Sequence, residues 1–230
     1  MTKLRIIFIF VSVAISTLTY AQKEDFAREL YLGFGGGVLM PKVDFMPSVL
    51  QKTNFGIHGG ISAKYITEKH LGLLLELNYT QRGWTEEFED NPDFAYSRTL
   101  NYVEIPFMTH VYFGNKVRFV FNAGPQVGFL LGNSSTMSEG LRDYVDEMKE
   151  STEYRVGTQY GNSLKKFDYG LVGGAGLEFK TPAGNMQLEG RYYFGLGDIF
   201  ENRKSQENYY FSRSAHRIID IKLSYYFKLK

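Results

Sequence analysis

Over residues 117–131 the chain changes chemistry at almost every step. Val117, Phe119, Phe121, Ala123, Val127, Phe129 and Leu131 occupy one parity, against Arg118, Asn122, Gly124, Gln126 and Gly128 on the other. A period of two puts the sets on opposite faces of an extended strand, one of them greasy. The period returns at 30–38, 55–65, 71–79, 103–113, 167–179, 186–196 and 219–227. Eight such segments predict an all-β chain, and their even number suits a closed antiparallel barrel with both ends on one side.

Connection lengths give an independent reading. Short ones at 66–70, 114–116 and 181–184 alternate with long ones at 41–53, 86–99, 132–166 and 198–213. Outer-membrane barrels have short periplasmic turns and long extracellular loops. The fold expected is therefore an eight-stranded antiparallel transmembrane β-barrel of that kind.

The leader agrees. Lys3 and Arg5 precede an apolar run at 6–15, and Thr19-Tyr20-Ala21 offers small residues to a signal peptidase. Residues 1–21 are expected to be removed, leaving 22–230 as the barrel domain; the run is shorter than the roughly 20 residues of a membrane-anchoring helix. Loss of Lys3 and Arg5 takes the formal charge from +1 to −1, a balance that gives no reason to expect nucleic acid. With no cysteine, disulfides and lipoprotein anchoring are both excluded.

Glycine decides which face is inside. A soluble lipocalin-like barrel would turn its apolar parity inward and show the other to water. Here the other parity is rich in glycine, including Gly33, Gly37, Gly60, Gly124, Gly174 and Gly176, which suits a narrow interior that must accommodate a few long side chains. Lys64, Arg82, Arg118, Lys180, Arg191 and Lys222 share that parity with Glu76, Glu104, Asp168, Glu178, Glu189 and Asp220. These twelve are expected to form a paired ionic network that fills the lumen; the competing reading makes them surface charges of a soluble sheet. Tyr79, Trp84, Tyr112 and Tyr225 are expected at the membrane interfaces. Pro106 and Pro125 interrupt two strands, so a bulge there is expected to shift the phase beyond, at His110 and Tyr112.

Several phrases carry a family resemblance: Glu76-Leu77-Asn78-Tyr79-Thr80-Gln81-Arg82-Gly83, Tyr102-Val103-Glu104-Ile105-Pro106, Ala123-Gly124-Pro125, Gly173-Gly174-Ala175-Gly176-Leu177-Glu178 and Arg191-Tyr192-Tyr193. In order and spacing the chain resembles, from about Leu30 onward, the PorT-like outer-membrane β-barrel domain of Bacteroidota, often called a porin family protein. The resemblance implies a small barrel exported with a cleavable signal to the outer membrane. It implies neither a ligand nor an activity.

Nothing in the sequence marks an enzyme strongly. Ser214 and His216 share a parity where a hydroxyl and an imidazole could meet at the lipid boundary, but the sequence sets no carboxylate to orient the ring. His58 and His110 are expected to hydrogen-bond inside the lumen and His70 to lie in a periplasmic turn. Metal spacing, a phosphate loop and a nucleophile elbow are missing, and no cofactor is expected. In the longest loop Leu141, Tyr144, Val145 and Met148 fall at helical spacing after Ser138, a possible cap. They make a candidate docking element for a protein partner. Three readings stay open: a plugged, monomeric structural or interaction barrel that acts through its external loops, a narrow passive channel for small solutes, and a lipid-modifying enzyme. Expected partners are outer-membrane lipids and lipopolysaccharide, and the barrel assembly machinery.

Overall fold

The computed structural model describes residues 26–150, 158–161, 163–200 and 212–229. The leader and its cleavage point lie outside them. The long strands are β1 (Glu29–Met46), β3 (Gly56–Glu68), β4 (Leu71–Glu86), β5 (Tyr96–Gly114), β6 (Val117–Met137), β7 (Phe167–Thr181), β8 (Gly184–Gly195) and β9 (Arg213–Lys228). A two-residue strand β2 (Gln51–Lys52) pairs with the tip of β4. Each long strand is antiparallel to both its neighbours, β1 to β9 at the seam and β4 to β5 where the ring closes. Closure gives each long strand a partner on both sides through the lower part of the ring, which is what lipid demands of a sheet, while β6 beyond Leu130 is paired with β5 alone and β1 beyond Leu39 with β9 alone.

The alternation is obeyed along each strand. Leu71, Leu73, Leu75, Leu77 and Tyr79 of β4 are exposed outward, while Leu74, Glu76, Asn78 and Thr80 are buried inside. Inward glycines set the bore. A Cβ on Gly37 would collide with the Ile221 carbonyl oxygen and press on His58, so only glycine lets these two strands and that ring share the site.

The strands exceed expectation. A tilted strand crosses a bilayer in roughly 9–11 residues, yet β5 has 19 and β6 has 21. The excess runs outward into segments expected to be loops, so β1 continues to Met46, β4 to Glu86 and β6 to Met137. The physical reason is an inversion of polarity. In β5 the outward positions are Val103, Ile105, Phe107, Thr109, Val111 and Phe113 on one side of Tyr102, and Ser97, Thr99 and Asn101 on the other. Its inward positions pass from Glu104 to Tyr102, Leu100, Arg98 and Tyr96. Below Tyr102 the strand is built for lipid outside, with ions among its inward residues. Above it, the strand shows a polar face to water and encloses a largely apolar interior into which one arginine is folded. The inversion divides the barrel into a lower part with an apolar outer face and an upper part, the crown, with a polar one.

Neither proline shifts the phase. From Tyr102 to Gly114 the β5–β6 register is constant, with Pro106 opposite Gln126, and the irregularity lies higher, at Asn101/Tyr102. His110 therefore stays inside, and Tyr112, expected at an interface, is buried inside as well. Trp84 is corrected in the same way, being fully buried in the crown. Both follow the inward parity of their strands.

Candidate functional site

Eleven of the twelve charged residues singled out in the sequence are buried in the lumen; Lys180 is partly exposed, beside Asn185 and Lys228 at the rim that carries the short turns. Near that rim Glu178 takes Lys64 and, at 3.3 Å, Arg118. The Lys64 ammonium lies 3.9 Å from the centre of the Tyr226 ring, and the Arg118 guanidinium 4.3 Å from that of Tyr112, so each cation also rests on an aromatic face.

The middle layer is built around Glu76. Arg191 donates to both its oxygens, at 2.8 and 2.9 Å, and Lys222 donates at 2.6 Å. Arg191 also holds Glu189 at 2.8 Å, and Asn122 and Gln187 donate to the same Glu189 carboxylate. A planar guanidinium can serve two carboxylates at once, which suits it to joining β4 and β8 across the bore. Toward the crown, Arg82 bridges Glu104 and Asp168, with its guanidinium between the rings of Tyr102 and Tyr193. Tyr193 donates to Asp168 at 2.9 Å, and Gln126 donates to Glu104 at 3.0 Å.

Sequence reasoning named the charges and placed His58 and His110 in the lumen, where His58 lies 3.0 Å from Asp220 and His110 is bonded to Asn122 at 2.7 Å. It did not assign Asn78, Asn122, Gln126 and Tyr193 as partners of the buried acids, to which they bond. Their signal was the parity they share with the charges. Between the middle and upper layers lies a cavity of about 30 Å³, lined by His58, Thr80, Arg82, Glu104, Arg191 and Asp220 among others. Such a space holds a water or two, not a water-filled path.

The crown closes over this lumen with a second, apolar core. Phe45, Trp84, Tyr96 and Phe200 pack with ring centres 5.3–6.5 Å apart. Helix α1 (Glu139–Glu150) lies on top and sinks Leu141 and Val145 into the same cluster. Those two candidate docking residues are therefore spent on the chain's own core; Tyr144 is exposed and Met148 partly so. Ser138 does not cap α1 with its hydroxyl, which instead accepts the Ala95 amide at 3.0 Å and ties the helix to β5. Ser214 and His216 are fully buried, away from the lipid boundary. The Ser214 hydroxyl accepts the Phe200 amide, and the His216 ring stands edge-on to Tyr102 with neither nitrogen hydrogen-bonded among the described residues. That arrangement offers no activated nucleophile.

Glu86, at the β4 tip inside the crown, accepts Tyr160 at 3.0 Å and Trp84 at 3.4 Å and is paired with no cation among the described residues. Burial pushes its carboxyl up to about 7, which these hydrogen bonds only partly offset. A raised carboxyl favours the folded crown fully below the unfolded pKa near 4.5, and the advantage is lost as pH rises toward 7. Protection of the α1 amides from hydrogen exchange should therefore fall between pH 5 and 8. Glu86→Gln should abolish that dependence and recover up to ~3 kcal/mol at pH 8.

The family described as outer membrane protein beta-barrel domain matches residues 20–201. No curated protein matches the sequence. Among solved structures, OprG from Pseudomonas aeruginosa is similar at a TM-score of 0.52 and 9% identity, with 87% of this chain and 96% of that one covered. Neisserial surface protein A gives 0.45 at 13% identity, covering 87% and 98%. The attachment invasion locus protein Ail of Yersinia pestis, in complex with the heparin analogue sucrose octasulfate, gives 0.44 at 16%, covering 86% and 99%.

Proposed function

This chain belongs to the outer membrane protein beta-barrel domain family, and within it we propose a plugged barrel that acts as a structural and interaction protein through its extracellular crown. One observation carries the reading: the strands run past the inversion at Tyr102 and enclose a second core, sealed by α1. A channel gains nothing from an apolar stopper above an ionic plug. A rigid platform held clear of the membrane gains a preorganised surface, since ordering costs are met before any partner arrives. We assign the chain to the PorT-like group on the phrases quoted above, with residues 1–21 as its export signal and the monomer as its working state. Accessible residues of the crown, Tyr144 and Met148 among them, are where a protein partner would meet it.

The passive-channel reading differs in an electrical observable. The barrel reconstituted in planar bilayers should show no steady conductance; reproducible single-channel steps would overturn the plugged lumen. The enzyme reading would need a reactive pair that Ser214, buried and bonded to the Phe200 amide, and His216, buried with no hydrogen bond among the described residues, do not supply.

A further inference from the structure

At the seam between β1 and β9, just above the lipid belt, four charged residues face outward together. Outward positions on β9 run Phe227, Tyr225, Leu223, Ile221 and Ile219, and the next is Arg217. At ~3.3 Å per residue and a tilt near 40°, those five positions rise about 20 Å, so Arg217 stands where an apolar band of about 25 Å gives out. Lys42 is opposite Arg217 in the ladder, and Arg213 lies two outward positions higher. Asp44 sits among them and accepts Arg213 Nε at 3.0 Å and Arg217 at 3.1 Å. Arg217 is otherwise satisfied, donating to the Gly195 and His216 carbonyls and lying 3.8 Å from the Phe194 ring centre. It is a fixed floor. Lys42 is exposed without a hydrogen bond or ion pair among the described residues, and Arg213 gives Asp44 only its Nε.

We propose that this platform binds a phosphate on the headgroup of an outer-leaflet glycolipid of the lipid A class. Three cations against one carboxylate leave an excess of two positive charges at the depth where lipid phosphates lie. Lys42 and the terminal nitrogens of Arg213 are the donors, Asp44 fixes the arginine fork, and acyl chains run down Val38, Ile219 and Ile221. A protein partner would not need the donors at the edge of the hydrocarbon. A lipid headgroup is held there by its own chains.

Native mass spectrometry of the detergent-solubilised chain tests this with diphosphoryl lipid A and the same lipid stripped of phosphate. The wild type should retain the phosphorylated form about tenfold better, and Lys42→Ala with Arg213→Ala should bring the ratio near one. Asp44→Asn, which keeps an amide oxygen to hold the Arg213 Nε, removes the competing negative charge and keeps every cation, should retain it at least as well as wild type. Heat-dependent gel mobility reports that each variant is folded. No phosphate preference in the wild type, an unchanged ratio in the folded double variant, or weaker retention by Asp44→Asn would each overturn the proposal. So would displacement of the lipid by 10 mM inorganic phosphate, which would point to a site for the free anion.

Discussion

Glu76→Leu should cost the barrel about 3–5 kcal/mol, the range for breaking a buried ion pair from one side. The carboxylate holds Arg191 in a two-oxygen clasp and Lys222 at 2.6 Å. Without it Arg191 keeps Glu189, but Lys222 is left with the Asn78 amide oxygen at 3.4 Å. Urea unfolding of the barrel in lipid vesicles reads the loss as a lower midpoint with little change in slope. The control is the double replacement Glu76→Leu, Lys222→Met, which removes one charge of each sign and leaves Arg191 paired with Glu189. Because burying ions costs about as much as their attraction returns, an apolar substitute for this pair should recover most of the loss. A single variant within 1 kcal/mol of wild type would mean that water reaches these charges and that the lumen is not plugged.

The division between what could be read in the chain and what could not falls at the membrane surface. Below it, lipid imposes one rule on every strand, so Leu71 to Tyr79 or Ile219 to Phe227 declare both strand and facing, and the charges of the opposite parity declare a polar interior. Above it the rule reverses while the strand continues. Ser97-Arg98-Thr99-Leu100-Asn101 then looks like a polar loop, although Arg98 and Leu100 are buried on the same side as Glu104. The sequence holds that reversal, but only a reader who expects the strand to leave the membrane would see it. Pro106 and Pro125 mislead in another way. A proline lacks one donor, not a place in the ladder, and the constant register from Tyr102 to Gly114 absorbs the loss. What no alternation could show is which charges meet. Lys64 with Glu178 and Arg191 with Glu76 are 114 and 115 residues apart, and only the stagger of the closed ring brings them together.

Trp84→Ala should unfasten the crown and leave the membrane-embedded barrel standing. Trp84 is fully buried, edge-on to Phe45 and Phe200 with ring centres at 5.3 and 6.1 Å, and its indole N–H reaches Glu86. Truncating a buried tryptophan costs about 3–5 kcal/mol, through lost burial and the cavity left behind. That cost falls on the cluster into which α1 sinks Leu141 and Val145, above the layer where Arg82, Glu104 and Asp168 close the lumen. Amides of α1 should then exchange at least a hundredfold faster, since 3 kcal/mol of local opening is worth about two factors of ten. Amides facing the ionic layers, such as those of Glu76 and Glu189, should keep their protection. Equal loss in both regions would make crown and barrel one cooperative unit, and a partner docking on α1 would then be coupled directly to the stability of the lumen. With unequal loss, the crown is a separate folding unit raised above the membrane, able to order or loosen while the plug beneath it holds.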